Sequence, residues 1–241
     1  MNWKKERLKN FKLYAITDLK EEDPEILAKI TGALHGGVDI IQLRSKTLPD
    51  KILLSLGKKI RGVTQKLKKL FVVNDRVDLM LALDADGVHL GQEDLPIQVA
   101  RRMIGGRDKM IGCSTHSLEQ AIDAQHEGAD YIGFGPIFET PTKPTYQPVG
   151  LDVISEVMKR IRIPVVCIGG IAPSNIEKVV QAGARRVAVV RAIFSVDDPY
   201  RAASELNVIL RRSRRLVERR TVGPAKDLCH RSFTSFKMTE K

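Results

Sequence analysis

Short runs of apolar and β-branched residues recur along the whole chain. They are "KLYAIT" (12–17), "VDIIQLR" (38–44), "LFVVND" (70–75), "GVHLG" (87–91), "MIGCST" (110–115), "YIGFG" (131–135), "IPVVCIG" (163–169) and "RVAVVRAI" (186–193). Each is nearly continuous in apolar character instead of alternating. Strands covered on both faces read this way, because neither face meets water.

Amphipathic segments fill the gaps. Between Pro24 and His35 the apolar positions are Ile26, Leu27, Ile30 and Leu34; between Pro49 and Leu70 they are Ile52, Leu53, Leu56, Ile60 and Val63. Further helices are expected to start at about Arg76, Pro96, Ser117, Leu151, Pro173 and Asp198. Pro24, Pro49, Pro96, Pro173 and Pro199 fall at or near these starts, where a missing N–H costs little. Gly36-Gly37, Gly105-Gly106, Gly128 and Gly183 stand where helices should stop. Eight strands, each followed by a helix, predict an α/β fold: a single (β/α)8 TIM barrel over residues 1–212. A doubly wound open sheet has the same alternation but does not require eight units.

Composition changes this picture little. A chain of 241 residues with 43% hydrophobic content suits one such domain. Three widely spaced cysteines, Cys113, Cys167 and Cys229, without a CxxC pair, argue against a disulfide framework or a zinc site. A cytoplasmic enzyme is the expectation, with no membrane span and no signal peptide, since no apolar stretch is long enough. Charge adds one feature. The net charge is +11, and residues 211–241 carry +7 of it, from ten Lys/Arg and three Asp/Glu. Residues 213–241 are therefore expected to be a basic, disordered tail rather than a nucleic-acid arm.

Chemistry in this fold belongs at the C-terminal ends of the strands. That rim collects Gln42, Arg44 and Lys46 after the second run, Asn74, Asp75 and Arg76 after the third, and Gln92, Glu93 and Asp94 after the fourth. Ser114 and Thr115 end the fifth, the loop "GPIFETPTKPTYQPVGL" (135–151) follows the sixth, and "GGIAPSN" and "VVRAI" close the last two. Singly, most have a plain reading: Asp75 or Asp94 as a helix cap, Ser114 bonded to local backbone, Cys113 as a core residue. Jointly they do not, because seven loops on one face carry ligand-type residues. Asp75 and Asp94 come from adjacent strands, so their carboxylates can converge on a Mg2+ that substrate phosphates also bind. Gly169-Gly170, followed by a helix and flanked by the eighth strand, suits a phosphate. Two phosphorylated ligands are expected. No GxxxxGK[ST] is present, which excludes a P-loop ATPase.

From about Leu13 to Leu210 the chain resembles the thiamine-phosphate synthase family. The motifs that carry the resemblance are "LYAITD", "IIQLRSK", "VNDRVDLMLALDADGVHLGQEDLP", "GCSTHS", "GPIFETPTKP", "VGL" and "IGGI". It implies an enzyme that joins a pyrimidine diphosphate to a thiazole phosphate. The pyrimidine diphosphate would be held by the segment Gln42, Leu43, Arg44, Ser45 and Lys46, with Asn74, Ser114 and Lys143. Asp75 and Asp94 would bind Mg2+. Thr140, Pro141, Thr142, Gly170, Val190 and Arg191 would hold the thiazole phosphate, and Lys143, Ser114 and Arg44 would be catalytic. Arg191 departs from the family, which often has Ser there. The partners implied are small molecules, with a homo-oligomer possible and neither nucleic acid nor membrane expected. Two other readings are a thiazole tautomerase relative and a non-catalytic basic regulator or RNA-binding protein; the intact "VNDR", "GQEDLP" and "TPTKP" motifs favour the synthase.

Overall fold

Eight parallel strands close into a barrel in chain order, β1 pairing with β2 and so on round to β8, which pairs with β1. The computed structural model describes the backbone of residues 3–106, 108–140 and 147–221, with side chains from Glu6 to Ser213 within those ranges. The strands are β1 (Leu13–Ile16), β2 (Ile40–Leu43), β3 (Leu70–Asn74), β4 (Gly87–Leu90), β5 (Met110–Thr115), β6 (Tyr131–Phe134), β7 (Val165–Cys167) and β8 (Val187–Val189). The helices are α1 (Trp3–Asn10), α2 (Ile26–His35), α3 (Asp50–Lys66), α4 (Val77–Ala82), α5 (Ile97–Ile104), α6 (Leu118–His126), α7 (Asp152–Arg160), α8 (Ile176–Gln181), α9 (Arg191–Phe194) and α10 (Pro199–Thr221). All eight expected strands form, and the (β/α)8 barrel stands.

The differences lie at element ends. The eighth run was expected to stay extended to Ile193, but β8 ends at Val189 and α9 begins at Arg191. Val190 leaves the extended region with φ −113 and ψ −82, and Ile193 is buried on the new helical turn. An apolar run that changes from strand to helix keeps its apolar pattern, so periodicity does not reveal the switch. Helix α3 stops at Lys66 instead of Leu70, because Lys68 turns left-handed at φ 52. Helix α10 passes the expected boundary at Arg212 and runs to Thr221. "RRSRRLVERRT" holds no helix breaker, and the first ones are Gly223-Pro224. The rest of the expected tail, 222–241, lies outside the described residues. Helix α1, before the first strand, was not anticipated.

Strand parity divides the core in two. One set faces outward against the helices: Leu13, Ala15, Ile41, Leu43, Phe71, Val73, Cys113, Ile132, Val165 and Val187 belong to this large cluster. The other set fills the barrel: Phe11, Tyr14, Ile16, Ile40, Leu70, Val72, Met110, Tyr131, Val166 and Ala188. Phe11, just after α1, plugs the N-terminal mouth edge-on to Tyr14 and Tyr131. Continuing the inward set towards the C-terminal ends gives Gln42 on β2, Asn74 on β3, His89 on β4 and Ser114 on β5. The fold thus passes from aromatic filling at the bottom to polar side chains at the top.

Candidate active site

The polar top opens into a cavity of about 660 Å3. Gln42, Arg44, Lys46, Asn74, Asp75, Asp94, Ser114, Thr140, Gly170, Val190 and Arg191 all line it. Leu43 and Ser45, expected there as part of one segment, do not. Leu43 is one step out of phase with Gln42, so it points into the outer core. The Ser45 hydroxyl donates to the Leu19 carbonyl and accepts from the N–H groups of Thr47 and Leu48, which folds the β2 loop instead. Pro141, Thr142 and Lys143 lie outside the described residues.

The acidic side of the cavity is built from β3 and β4. Asp75 follows Asn74 in a left-handed conformation, φ 60, which Asp tolerates better than most residues. Its N–H donates to the His89 carbonyl at 2.8 Å, so the carboxylate is turned off the strand and into the cavity. There it accepts from Lys46 Nζ at 2.5 Å and Asn74 Nδ2 at 2.6 Å. Asp94 accepts from the Gly91 N–H at 2.6 Å, and neither Asp caps a helix: α4 and α5 have no side-chain cap. Burial, and next the hydrogen-bond contact with Asp75, push the Asp94 carboxyl above its ordinary pKa. Two carboxylates therefore meet, with Lys46 as their cationic neighbour. Among the described residues no cluster of three or more His, Cys, Asp or Glu has metal-binding geometry, so a cation here would need oxygens from a ligand or water as well. Arg44 stands alongside, ion-paired with Asp18, and burial lowers its pKa while Asp75 opposes that shift.

The opposite side is backbone. Gly169 and Gly170 have φ 100 and 62, and a Cβ on Gly170 would lie 2.6 Å from the Glu139 carbonyl oxygen. Only glycine lets the loop after β7 press against the loop after β6, to which it is bound by Ile137 N–H to Ile168 and Phe138 N–H to Gly169. Asn175 locks the turn, donating to the Gly170 carbonyl at 2.8 Å and accepting from the Ala172 N–H at 2.9 Å. Beside it the chain enters α9, whose first N–H groups have no partner within the helix. A turn of this kind with a short extra helix after β8 is the usual anion seat of the barrel.

Other residues fall away from the chemistry. Arg76 is held on the surface by Asp50 and Asp78. Burial pushes the Cys113 thiol up to about 11 and the Cys167 thiol up to about 12, so neither offers a thiolate at neutral pH. Three residues escaped sequence reasoning: Tyr14, Tyr131 and His89, which connect Gln42 to Ser114 through the barrel interior. They read as core because they sit within apolar runs. Their shared parity with Gln42, Asn74 and Ser114 was the available signal.

Fold and cavity together define a (β/α)8 barrel with a polar cavity at the C-terminal ends of its strands. The chain belongs to the thiamine monophosphate synthase family, whose model matches residues 13–193. It is 44% identical over 206 residues to a thiamine-phosphate synthase of Prochlorococcus marinus, covering 86% of this chain and 58% of that one. It is 46% identical over 198 residues to the thiamine-phosphate synthase of Gloeobacter violaceus, covering 82% and 57%. The chain thus spans under two thirds of the length of these curated relatives. Among solved structures, thiamine phosphate pyrophosphorylase from Pyrococcus furiosus superposes with a TM-score of 0.77 at 40% identity, covering 86% of this chain and 98% of that one.

Proposed function

We propose that the protein is a thiamine-phosphate synthase. It would condense 4-amino-2-methyl-5-(diphosphooxymethyl)pyrimidine with hydroxyethylthiazole phosphate, or its carboxylated form, to give thiamine phosphate and pyrophosphate. The observation that carries this reading is one cavity with two different walls. A carboxylate pair beside Lys46 and Arg44 faces a glycine turn and the start of α9. A ligand bearing one phosphate fits the second wall, and a diphosphate with a divalent cation fits the first.

Asp75 and Asp94 would hold Mg2+, which their crowding favours: a cation between them relieves a repulsion that burial now aggravates. When bound, the ion would neutralise charge on the departing pyrophosphate. The remaining work is electrostatic and positional. The aminopyrimidine pushes electrons towards its exocyclic methylene as the C–O bond to the diphosphate breaks. The thiazole nitrogen then forms the new C–N bond. Arg44, Lys46 and Lys143 would receive the charge that develops on the leaving group, and Ser114 would contact the pyrimidine substrate. Gly170, Thr140, Pro141, Thr142 and the backbone at Val190–Arg191 would seat the thiazole phosphate and hold its nitrogen in line. No covalent nucleophile is needed, which agrees with the protonated, buried Cys113. Among the described residues no helix is long and apolar enough to cross a membrane. Both substrates are highly charged phosphates, for which a cytoplasmic setting suits the reaction.

The test is direct. Both substrates are incubated with the purified chain, with and without Mg2+, and thiamine phosphate is measured. Product that depends on both substrates and on the cation supports the reading. No product from fully folded protein would sink it.

A further inference from the structure

The line from Gln42 to Ser114 has a direction. Gln42 Nε2 lies 2.8 Å from the Tyr14 hydroxyl, and Tyr14 lies 3.0 Å from the Tyr131 hydroxyl. Tyr131 lies 3.2 Å from His89 Nδ1, and His89 Nε2 lies 3.0 Å from Ser114 Oγ. An amide nitrogen only donates. The Tyr14 oxygen therefore accepts from Gln42, and Tyr14, which would otherwise leave a buried O–H unspent, gives its single proton to Tyr131. Tyr131 accepts that bond, so its own proton goes to Nδ1. An Nδ1 that accepts carries no proton, and the neutral imidazole must hold its proton on Nε2. That proton is given to Ser114, whose own O–H is then left to donate into the cavity.

We propose that His89, backed by Tyr131 and Tyr14, is a positioning residue that commits the Ser114 hydroxyl to donating a hydrogen bond, so that Ser114 selects an acceptor atom of the pyrimidine diphosphate. The inference rests on the function proposed above and concerns the same cavity. The surroundings are built for it. Gln42 is 1% exposed and both tyrosines are buried. Burial raises the pKa of both phenols, so each keeps the proton that the line requires. Room for the line comes from Gly112, where a Cβ would lie 2.5 Å from the Tyr131 hydroxyl and 2.6 Å from His89 Nδ1. A side chain there would break the line at its middle.

Two measurements test the proposal. Nitrogen-15 NMR of the full chain without substrate, at a pH where the ring is neutral, reads the His89 tautomer. The expected result is a proton on Nε2 and none on Nδ1, with Tyr131→Phe allowing the other tautomer. Kinetics read the consequence. Tyr131→Phe should lower kcat roughly tenfold, the weight of one hydrogen bond, and leave KM for the thiazole phosphate unchanged. His89→Gln, which can still donate to Ser114, should keep most of the turnover. His89→Leu should fall to the level of Ser114→Ala, and the double variant should fall no further. A wild-type proton on Nδ1, or losses in the double variant that simply multiply, would overturn the proposal. The tautomer is read without any turnover, so failure of the line and failure of the proposed activity are told apart.

Discussion

The two ends of the barrel use the same kinds of charged residue in opposite ways. At the N-terminal end an acid stands just before each of β2, β4 and β6: Asp39, Asp86 and Asp130. Each accepts from an N–H at the start of the preceding strand, at Lys12, Phe71 and Ile111 respectively. Each also has its cation: Lys69 and Arg7 for Asp39, Arg61 for Asp86, Arg101 for Asp130. At the C-terminal end Asp75 and Asp94 face each other, and Lys46 is the ammonium between them and solvent. Acids matched with cations and strand-end donors hold a structure in place. Like charges brought together leave an electrostatic debt that a ligand or cation can settle, which is how sites that bind differ from sites that only support.

Breaking one member at each end should separate stability from activity most sharply. Asp86 is 1% exposed and bidentate to Arg61, whose Nε already has no partner among the described residues. Asp86→Ala would leave the buried guanidinium with only its longer 3.7 Å contact to the exposed Asp84, and should cost about 3–5 kcal/mol, read by denaturant unfolding. Its turnover per folded molecule should stay near that of the wild type. Asp94→Ala should do the reverse. It removes a carboxyl whose pKa is raised by burial and by Asp75, so Tm should hold or rise, while turnover falls by roughly 10²–10³. If Asp94→Ala melts earlier and turns over normally, the acids at the top are structural and the contrast fails.

A smaller effect sharpens the view of the glycine wall. Gly170→Ala keeps the loop polar and charge-neutral but adds a Cβ against the Glu139 carbonyl at a φ of 62. The loop after β7 must then move away from the loop after β6. KM for the thiazole phosphate should rise roughly tenfold, with a stability loss of about 1–2 kcal/mol from the backbone strain. KM for the pyrimidine diphosphate should change less, since its proposed contacts, Lys143 apart, stand on β2 to β5. A loss confined to that substrate would reverse the assignment of the walls.

What the sequence disclosed, and what it hid, follows the same geometry. The strands were legible because both faces of every one are covered, which leaves the apolar runs unbroken. The rim residues were legible as polar residues at the ends of those runs. Within the segment assigned to the pyrimidine diphosphate, Leu43 and Ser45 do not line the cavity, because strand parity sends Leu43 outward and the Ser45 hydroxyl is used by its own loop. The opposite error hid His89, Tyr14 and Tyr131. They have the right parity but lie inside apolar runs, where an aromatic or a histidine reads as packing. Lengths were hidden wherever local composition does not change at a boundary, as at the passage from β8 to α9.

That last kind of boundary supports the smallest prediction. The break between barrel and tail was expected at Arg212, but α10 continues to Thr221. Leu206, Leu210 and Ser213 are buried, and the Ser213 hydroxyl lies 3.4 Å from Glu177 on α8. The contact is long and contributes little, yet the turn that carries it is packed. Ending the chain after Arg212 would remove Ser213 and expose the last helical turn to fraying. The expected cost is about 1 kcal/mol, or a fall in Tm of about 2–4 °C for a domain of this size. Ending it after Thr221 keeps that packing and should cost less. Turnover should be unaffected by either cut, because α10 packs on α2 and α8 and none of its described residues lines the cavity. Thermal melts of the two shortened chains beside the full one decide the matter. Equal melts for all three would mean that the helix beyond Arg212 adds nothing to the barrel, whereas a fall in turnover would tie α10 to the catalytic end.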